Sequence, residues 1–237
     1  MKKLKKMITI ATLASAMTAL CFPGIAFASE TKGLKILEAR FNTRTVVKVD
    51  AGDFHFTAGQ IAPIHTHEAP AVGYVMKGEI IYQVEGKKQV LLREGDAFYE
   101  PAGPRILRFD NASATEEAIF IDFNIQRSDD PFIVFEKPPT EAIDRRTLPT
   151  TNLGSQNINK VEVFEHHLVG NQEIRSNFTG PVVNIVAEGV VLVQEQGKPE
   201  QRVGAGGTFA STLIGNRVTI RNASSQASAK IIAFHLQ

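Results

Sequence analysis

Residues 59–78 read GQIAPIHTHEAPAVGYVMKG, and 111 positions later residues 170–189 read GNQEIRSNFTGPVVNIVAEG. Gly59 falls on Gly170, Pro70 on Pro181, Val75 on Val186 and Gly78 on Gly189. The same offset carries onward. Gly86-Lys87 falls on Gly197-Lys198, Gly95 on Gly206, Phe98 on Phe209, Asn111-Ala112-Ser113 on Asn222-Ala223-Ser224, and Ile121 and Phe123 on Ile232 and Phe234. A constant offset, with no gap from 59 to 125, marks an internal duplication. The chain is therefore read as two copies of one unit.

Each copy alternates short runs rich in Val, Ile, Phe and Tyr with turn signals. In the first, Tyr74–Met76 meets Lys77-Gly78, Glu79–Val84 meets Glu85-Gly86-Lys87, and Val90–Arg93 meets Glu94-Gly95-Asp96. This spacing predicts an all-β antiparallel sandwich or barrel. No ten-residue stretch beyond the N-terminal segment has a helical stripe, and Pro138–Arg146 is the best place for a short turn. The organisation expected is a unit over 29–126, a connector rich in proline and charge over 127–156, and a second unit over 157–237.

The N-terminal residues MKKLKKMITIATLASAMTALCFPGIAFAS hold four lysines, an apolar run near Ile8–Phe22, and Ala26-Phe27-Ala28 as an A-x-A cleavage site. This predicts a secretory signal peptide, residues 1–28, removed after Ala28, and export to the periplasm or medium. The apolar run falls short of the roughly 18 or more residues of a spanning helix, so no membrane association is expected of the mature chain. Cys21 lies inside the signal, behind a Leu20 that does not suit a lipoprotein box, so the mature chain has no thiol. Removing the signal takes away four lysines and no acid, leaving 22 Lys+Arg against 25 Asp+Glu, a formal charge of −3. Nucleic acid and anionic membranes are thereby excluded as partners.

Two imidazoles two residues apart, His65 and His67, project to the same face of an extended strand and can converge on one ion. With Gly59 and Gly78 they fall on the pattern G-x5-H-x-H-x3,4-E-x6-G, and Gly95, Pro101 and Gly103 fall on G-x5-P-x-G-x2-H-x3-N. In these residues the chain resembles the cupin superfamily, and the two copies together resemble a bicupin. The resemblance implies two tandem jelly-roll barrels and a divalent metal (iron, manganese, nickel or zinc) held inside one of them. It also shows gaps. The motif glutamate position is Ala71, its second-motif histidine position is Ile106, and the closing asparagine comes one residue late, at Asn111.

Strand parity offers a substitute carboxylate. In Asp96-Ala97-Phe98-Tyr99-Glu100 an inward Phe98 carries Glu100 inward too. His65, His67 and Glu100 then form a two-histidine, one-carboxylate set, which suits non-haem Fe(II) with positions open for substrate. The alternative puts Glu100 at the rim, paired with Arg105 or Arg108. Glu68 is a weaker candidate, and His55, which recurs as His166, reads as a packing residue. Tyr74, Tyr82, Phe98 and Ile106 are the expected pocket wall. In the second copy Ser176, Phe178, Ser211 and Arg217 stand in place of His65, His67, Glu100 and Ile106, so no metal set remains. His166 and His167 point to opposite strand faces and His235 stands alone near the end.

Three functions stay open: a metal-dependent, oxygenase-like enzyme acting on a small molecule; a metal-free or weak-metal small-molecule binding protein; and a structural, oligomer-forming protein. The second unit would serve as a structural, dimer-forming or pocket-shaping module, with a homodimer among the expected assemblies.

Overall fold

The structure, a computed structural model, describes residues 33–237. The expected signal peptide, its cleavage site and Cys21 lie outside these residues. The first unit runs β1 (Leu34–Phe56), β2 (His65–Thr66), β3 (Ala71–Lys77), β4 (Glu79–Val84), β5 (Val90–Arg93), β6 (Ala97–Glu100), β7 (Ile106–Asn111) and β8 (Ala118–Gln126). Two short strands follow in the connector, β9 (Val134–Phe135) and β10 (Asp144–Thr147). The second unit runs β11 (Thr151–Leu168), β12 (Glu173–Asn177), β13 (Val182–Glu188), β14 (Val190–Glu195), β15 (Gln201–Gly204), β16 (Thr208–Ser211), β17 (Arg217–Asn222) and β18 (Ala229–Leu236). The described residues contain no helix, and the chain is all-β as its sequence predicts.

From β3 to β8 every strand begins 111 positions before its counterpart in β13 to β18. The turns repeat as well. Gly78 and Gly189 have φ of 80° and 74°, and an added Cβ would lie 2.9 Å from the Glu117 carbonyl oxygen and 2.4 Å from that of Ser228. Only glycine suits a turn that is both left-handed and this close to a neighbouring backbone.

The repeat is not gapless, which corrects the alignment of Gly59 with Gly170. Asn111 Nδ2 donates to the Phe56 carbonyl, whereas Asn222 Nδ2 donates to that of Leu168. Thr57 N donates to Gln60 Oε1, whereas Val169 N donates to Gln172 Oε1. Around this turn the offset is one residue longer, because the hydrogen bonds that close the turn set its register and the glycine does not. Two equivalences move in consequence. Phe54, opposite Phe120, corresponds to His166, opposite Ile231. His65, opposite Ile106, corresponds to Asn177, opposite Arg217, and not to Ser176.

One nine-stranded sheet runs through both units in the order β16-β13-β18-β11-β1-β8-β3-β6, with β10 added to β1. The sheet β5-β4-β7-β2-β9 closes the first barrel and β12-β17-β14-β15 closes the second. The barrels join along the antiparallel ladder of β1 on β11, from Leu34 opposite Glu165 to Val49 opposite Thr151. Alternation along β8 serves two cores at once: Ile121, Phe123 and Ile125 join the core between the barrels, while Phe120 faces the interior of the first. Phe123 and its repeat partner Phe234 meet there with ring centroids 4.5 Å apart. Two sequence-equivalent residues in contact place a pseudo-twofold axis between the barrels.

The connector is built into the first barrel. β9 pairs with β2, putting Phe135 opposite His65, and β10 pairs with β1, putting Arg145 opposite Phe54. Both strands lie against the segments that surround the histidine pair.

Candidate metal centre

His65 is fixed by pairing with Ile106 on β7 and Phe135 on β9, and His67 by a bridge to Ala102 just beyond it. Both rings are buried. His65 Nδ1 donates to the Pro63 carbonyl at 2.8 Å and His67 Nδ1 to the Phe132 carbonyl at 3.0 Å. With Nδ1 held by a carbonyl, each ring turns its Nε2 inward, the nitrogen it would present to a metal. Those two nitrogens face Glu100: His65 Nε2 is 3.5 Å from Glu100 Oε1 and His67 Nε2 is 3.2 Å from Glu100 Oε2.

Glu100 reaches this place by a route written in the ladder. Its direct cross-strand partner is Ala71, the position at which the motif has its glutamate. Directly opposed residues of an antiparallel pair project to the same face. The carboxylate has therefore moved one strand sideways and still enters the same space. Arg105 pairs instead with Glu136 and Glu85, and Arg108 with Asp110, so the rim alternative for Glu100 is not seen.

Burial alone pushes the His67 imidazolium toward its neutral form, but the Glu100 carboxylate outweighs this and raises its pKa to about 9. For Glu100, burial favours the acid, and the charge of His67 with the nearness of both imidazoles holds it well below the usual range. Burial, then repulsion from Glu100, raises the Asp122 carboxyl to about 7.

A ligand atom from each of His65, His67 and Glu100 lies within 4.8 Å of the others. His67 Nε2 and Glu100 Oε1 are buried without a hydrogen-bond partner. Such atoms are costly in an apolar barrel unless something completes them, and a divalent cation would do so. The donor set therefore fits a metal ion. Among the described residues no other such group of three donors is found.

Above the triad is a cavity of about 20 Å³, room for one water or one ion, walled by Phe54, Phe56, Phe109, Phe120 and Phe135 and including Asp122. The expected wall differs. Tyr82, Phe98 and Ile106 belong to the core of this barrel but do not line the cavity. Tyr74 lies in the core between the barrels, because the register sets Gly73 opposite Phe98 and so turns Tyr74 to the other face. Glu68 is exposed. His55 lies outside the barrel between Asp53 and Glu117, as a hydrogen-bonding residue.

Sequence reasoning missed Asp122 and Asn124. Both are buried, and Asn124 Nδ2 donates to the same Phe132 carbonyl that receives His67. The signal was present in IFIDFNIQ, residues 119–126, where polar side chains at 122, 124 and 126 alternate with Ile and Phe. In the second barrel the equivalent positions are Asn177, which is exposed, Phe178, Ser211, Ala233 and His235, none of them a carboxylate. His235 packs against Phe164 and Phe178, and burial, then the charge of His166, lowers its pKa to about 4.

No curated protein sequence matches the chain. Residues 52–124 match the cupin domain family. Among solved structures, salicylate 1,2-dioxygenase from Pseudaminobacter salicylatoxidans superposes over 80% of this chain and 71% of its own, with TM-score 0.56 and 16% identity. AerE from Microcystis aeruginosa superposes over 86% of this chain and 98% of its own, with TM-score 0.57 and 13% identity. The salicylate dioxygenase has also been solved with gentisate, at TM-score 0.55 and 16% identity over 80% of this chain and 68% of that one. At these identities the likeness is one of fold. The glycine-bounded hairpins, the inward histidine pair and the family match agree: residues 52–124 match the cupin domain, in a chain whose two barrels together have the bicupin fold.

Proposed function

We propose that the chain is an exported, metal-dependent bicupin enzyme with one working barrel, oxygenase-like, acting on a small molecule. The observation that carries this reading is the buried convergence of His65, His67 and Glu100, two of whose polar atoms have no other partner. A divalent transition ion in such a set supplies Lewis-acid or oxygen-activating chemistry. The protein supplies the rest. The Pro63 and Phe132 carbonyls hold both rings, the phenylalanines exclude water, and Asp122 adds a carboxyl to the same cavity. The phenylalanine lining favours a small apolar or aromatic substrate, and the gentisate complex of the structurally similar dioxygenase is in keeping with that class. Export rests on the N-terminal residues alone.

A second reading, a binding protein without turnover, is favoured by one observation: Ile106 stands where the family motif has its fourth ligand. Elemental analysis of untagged protein separates the two from the inert case. One equivalent of a transition metal should copurify or reconstitute, and His65→Ala and Glu100→Ala should each strip it. A wild type that stays metal-free after exposure to Fe(II), Mn(II), Ni(II) and Zn(II) would discard the enzyme reading.

A further inference from the structure

The segment over the first barrel, residues 131–147, does more than connect. Its Ile133, Phe135 and Ile143 line the cavity and its Phe132 packs on the core of the barrel, and the space left beneath them admits nothing larger than a water or an ion. Its backbone also reaches the ligands. The Phe132 carbonyl receives His67 Nδ1, β9 lies against His65, and Glu136 N donates to the Ile64 carbonyl. Anything organic that approaches the triad must displace this strap, and displacing it withdraws the carbonyl that orients His67.

Arg145 adds a side-chain contact to the strand pairings and hydrogen bonds that hold the strap over the cavity. Arg145 stands opposite Phe54 on β10, and its guanidinium carbon lies 3.7 Å from the Phe132 ring centroid and 5.8 Å from that of Phe54. Among the described residues it makes no ion pair, in contrast to Arg146, which is paired with Asp144 at 3.2 Å. The second barrel provides the comparison. There the position against His166, the counterpart of Phe54, is taken by Gly33, where an added Cβ would lie 2.6 Å from the imidazole. Among the described residues, a long cationic side chain thus stands at this position only over the barrel that keeps the histidine pair.

We propose that Arg145 is a positioning residue for the metal centre: by stacking on Phe132 it latches the strap and keeps the Phe132 carbonyl on His67. The proposal rests on the metal reading above, and its test is built to separate the two. Full-length mature protein is loaded with Co(II) alone, and three quantities are followed: the Co(II) absorption spectrum, the rate of Co(II) loss to excess chelator, and hydrogen exchange over residues 131–137 with and without metal. Arg145→Gln and Phe132→Leu should each speed both exchange and Co(II) loss by about two- to thirtyfold, the range one cation–π contact spans. Each should shift the ligand-field bands, because His67 loses its carbonyl partner. The double variant should exceed the stronger single by less than twofold, and Arg146→Gln should match wild type. Unchanged exchange in both single variants, multiplicative effects in the double, or faster exchange with unchanged Co(II) loss would each overturn it. A wild type that takes up no Co(II) overturns the metal role, and the exchange data then decide the latch by themselves.

Discussion

If Glu100 supplies the carboxylate that the motif places at 71, exchanging the two residues should preserve a metal site that either half of the exchange alone would disrupt. Ala71 and Glu100 are direct partners on β3 and β6, and both are buried. Their Cβ atoms should be about 5 Å apart on one face, within the span of a glutamate side chain. Structural metal sites of four ligands are worth about 10–16 kcal/mol, or about 3–4 kcal/mol per ligand. Glu100→Ala should therefore weaken binding by about 100- to 1000-fold. The fold should survive, because removing Glu100 takes away the main cause that raises His67, and burial then favours its neutral form. The double variant Ala71→Glu, Glu100→Ala keeps total volume and returns a carboxylate to the same space, so at least tenfold of the loss should be recovered. Competition with a chromophoric chelator measures all three proteins, with circular dichroism confirming the fold. Wild-type affinity in Glu100→Ala would show that Glu100 is not a ligand. A folded double variant no tighter than Glu100→Ala would refute the equivalence of the two positions.

The contact of Phe123 with Phe234 joins the barrels at their axis, so either residue changed to alanine should cost about 3–5 kcal/mol in urea unfolding, with the pair less than additive. Equal stability of Phe123→Ala and wild type would remove the shared core from the account. His235 is neutral in the fold down to about pH 4, whereas an unfolded histidine protonates near 6.5, so its contribution is complete above 6.5 and lost as pH falls toward 4, by up to about 3 kcal/mol. His235→Gln should therefore lose less stability than wild type between pH 7.5 and 5, and identical slopes would exclude His235 as the cause. Mass spectrometry of protein from the cell envelope or medium should find a chain beginning at Ser29; an intact Met1 would contradict export.

Much of this architecture is visible in the sequence because it is local or periodic. Glycines at matching positions mark the turns, and alternation assigns faces, so Phe98 and Glu100 can be placed inside from four consecutive letters. What escapes is set by distant pairing. Residues 127–147 carry the prolines and charges of a linker, and only their partners on β1 and β2 make them part of a barrel. The one-residue shift between the copies escapes for the same kind of reason. Gly59 and Gly170 both have positive φ and align by eye, but Gln60 and Gln172 accept the bonds that close the turn. Asp122 and Asn124 escape because polar residues alternating along a strand ordinarily face water. Here β8 is covered on both sides, and the polar row is an interior one.

That interior row explains the divergence of the two barrels better than loss of ligands does. Partnerless buried side-chain atoms gather around the cavity of the first barrel at His67, Glu100, Asp122 and Asn124, whereas the second barrel shows His166, Glu173 and Ser211. A barrel interior costs free energy for each such group, and aliphatic side chains of similar size would remove the cost. Replacement on those lines is what the second copy displays, with Phe178 for His67 and Ala233 for Asp122. Both barrels draw stability from the same core between them, where Phe123 and Phe234 meet, so the first copy does not need its polar row in order to fold. A row that costs its own barrel free energy and lies under a strap, with Arg145 stacked on Phe132, is what the proposed metal role of the first barrel would require.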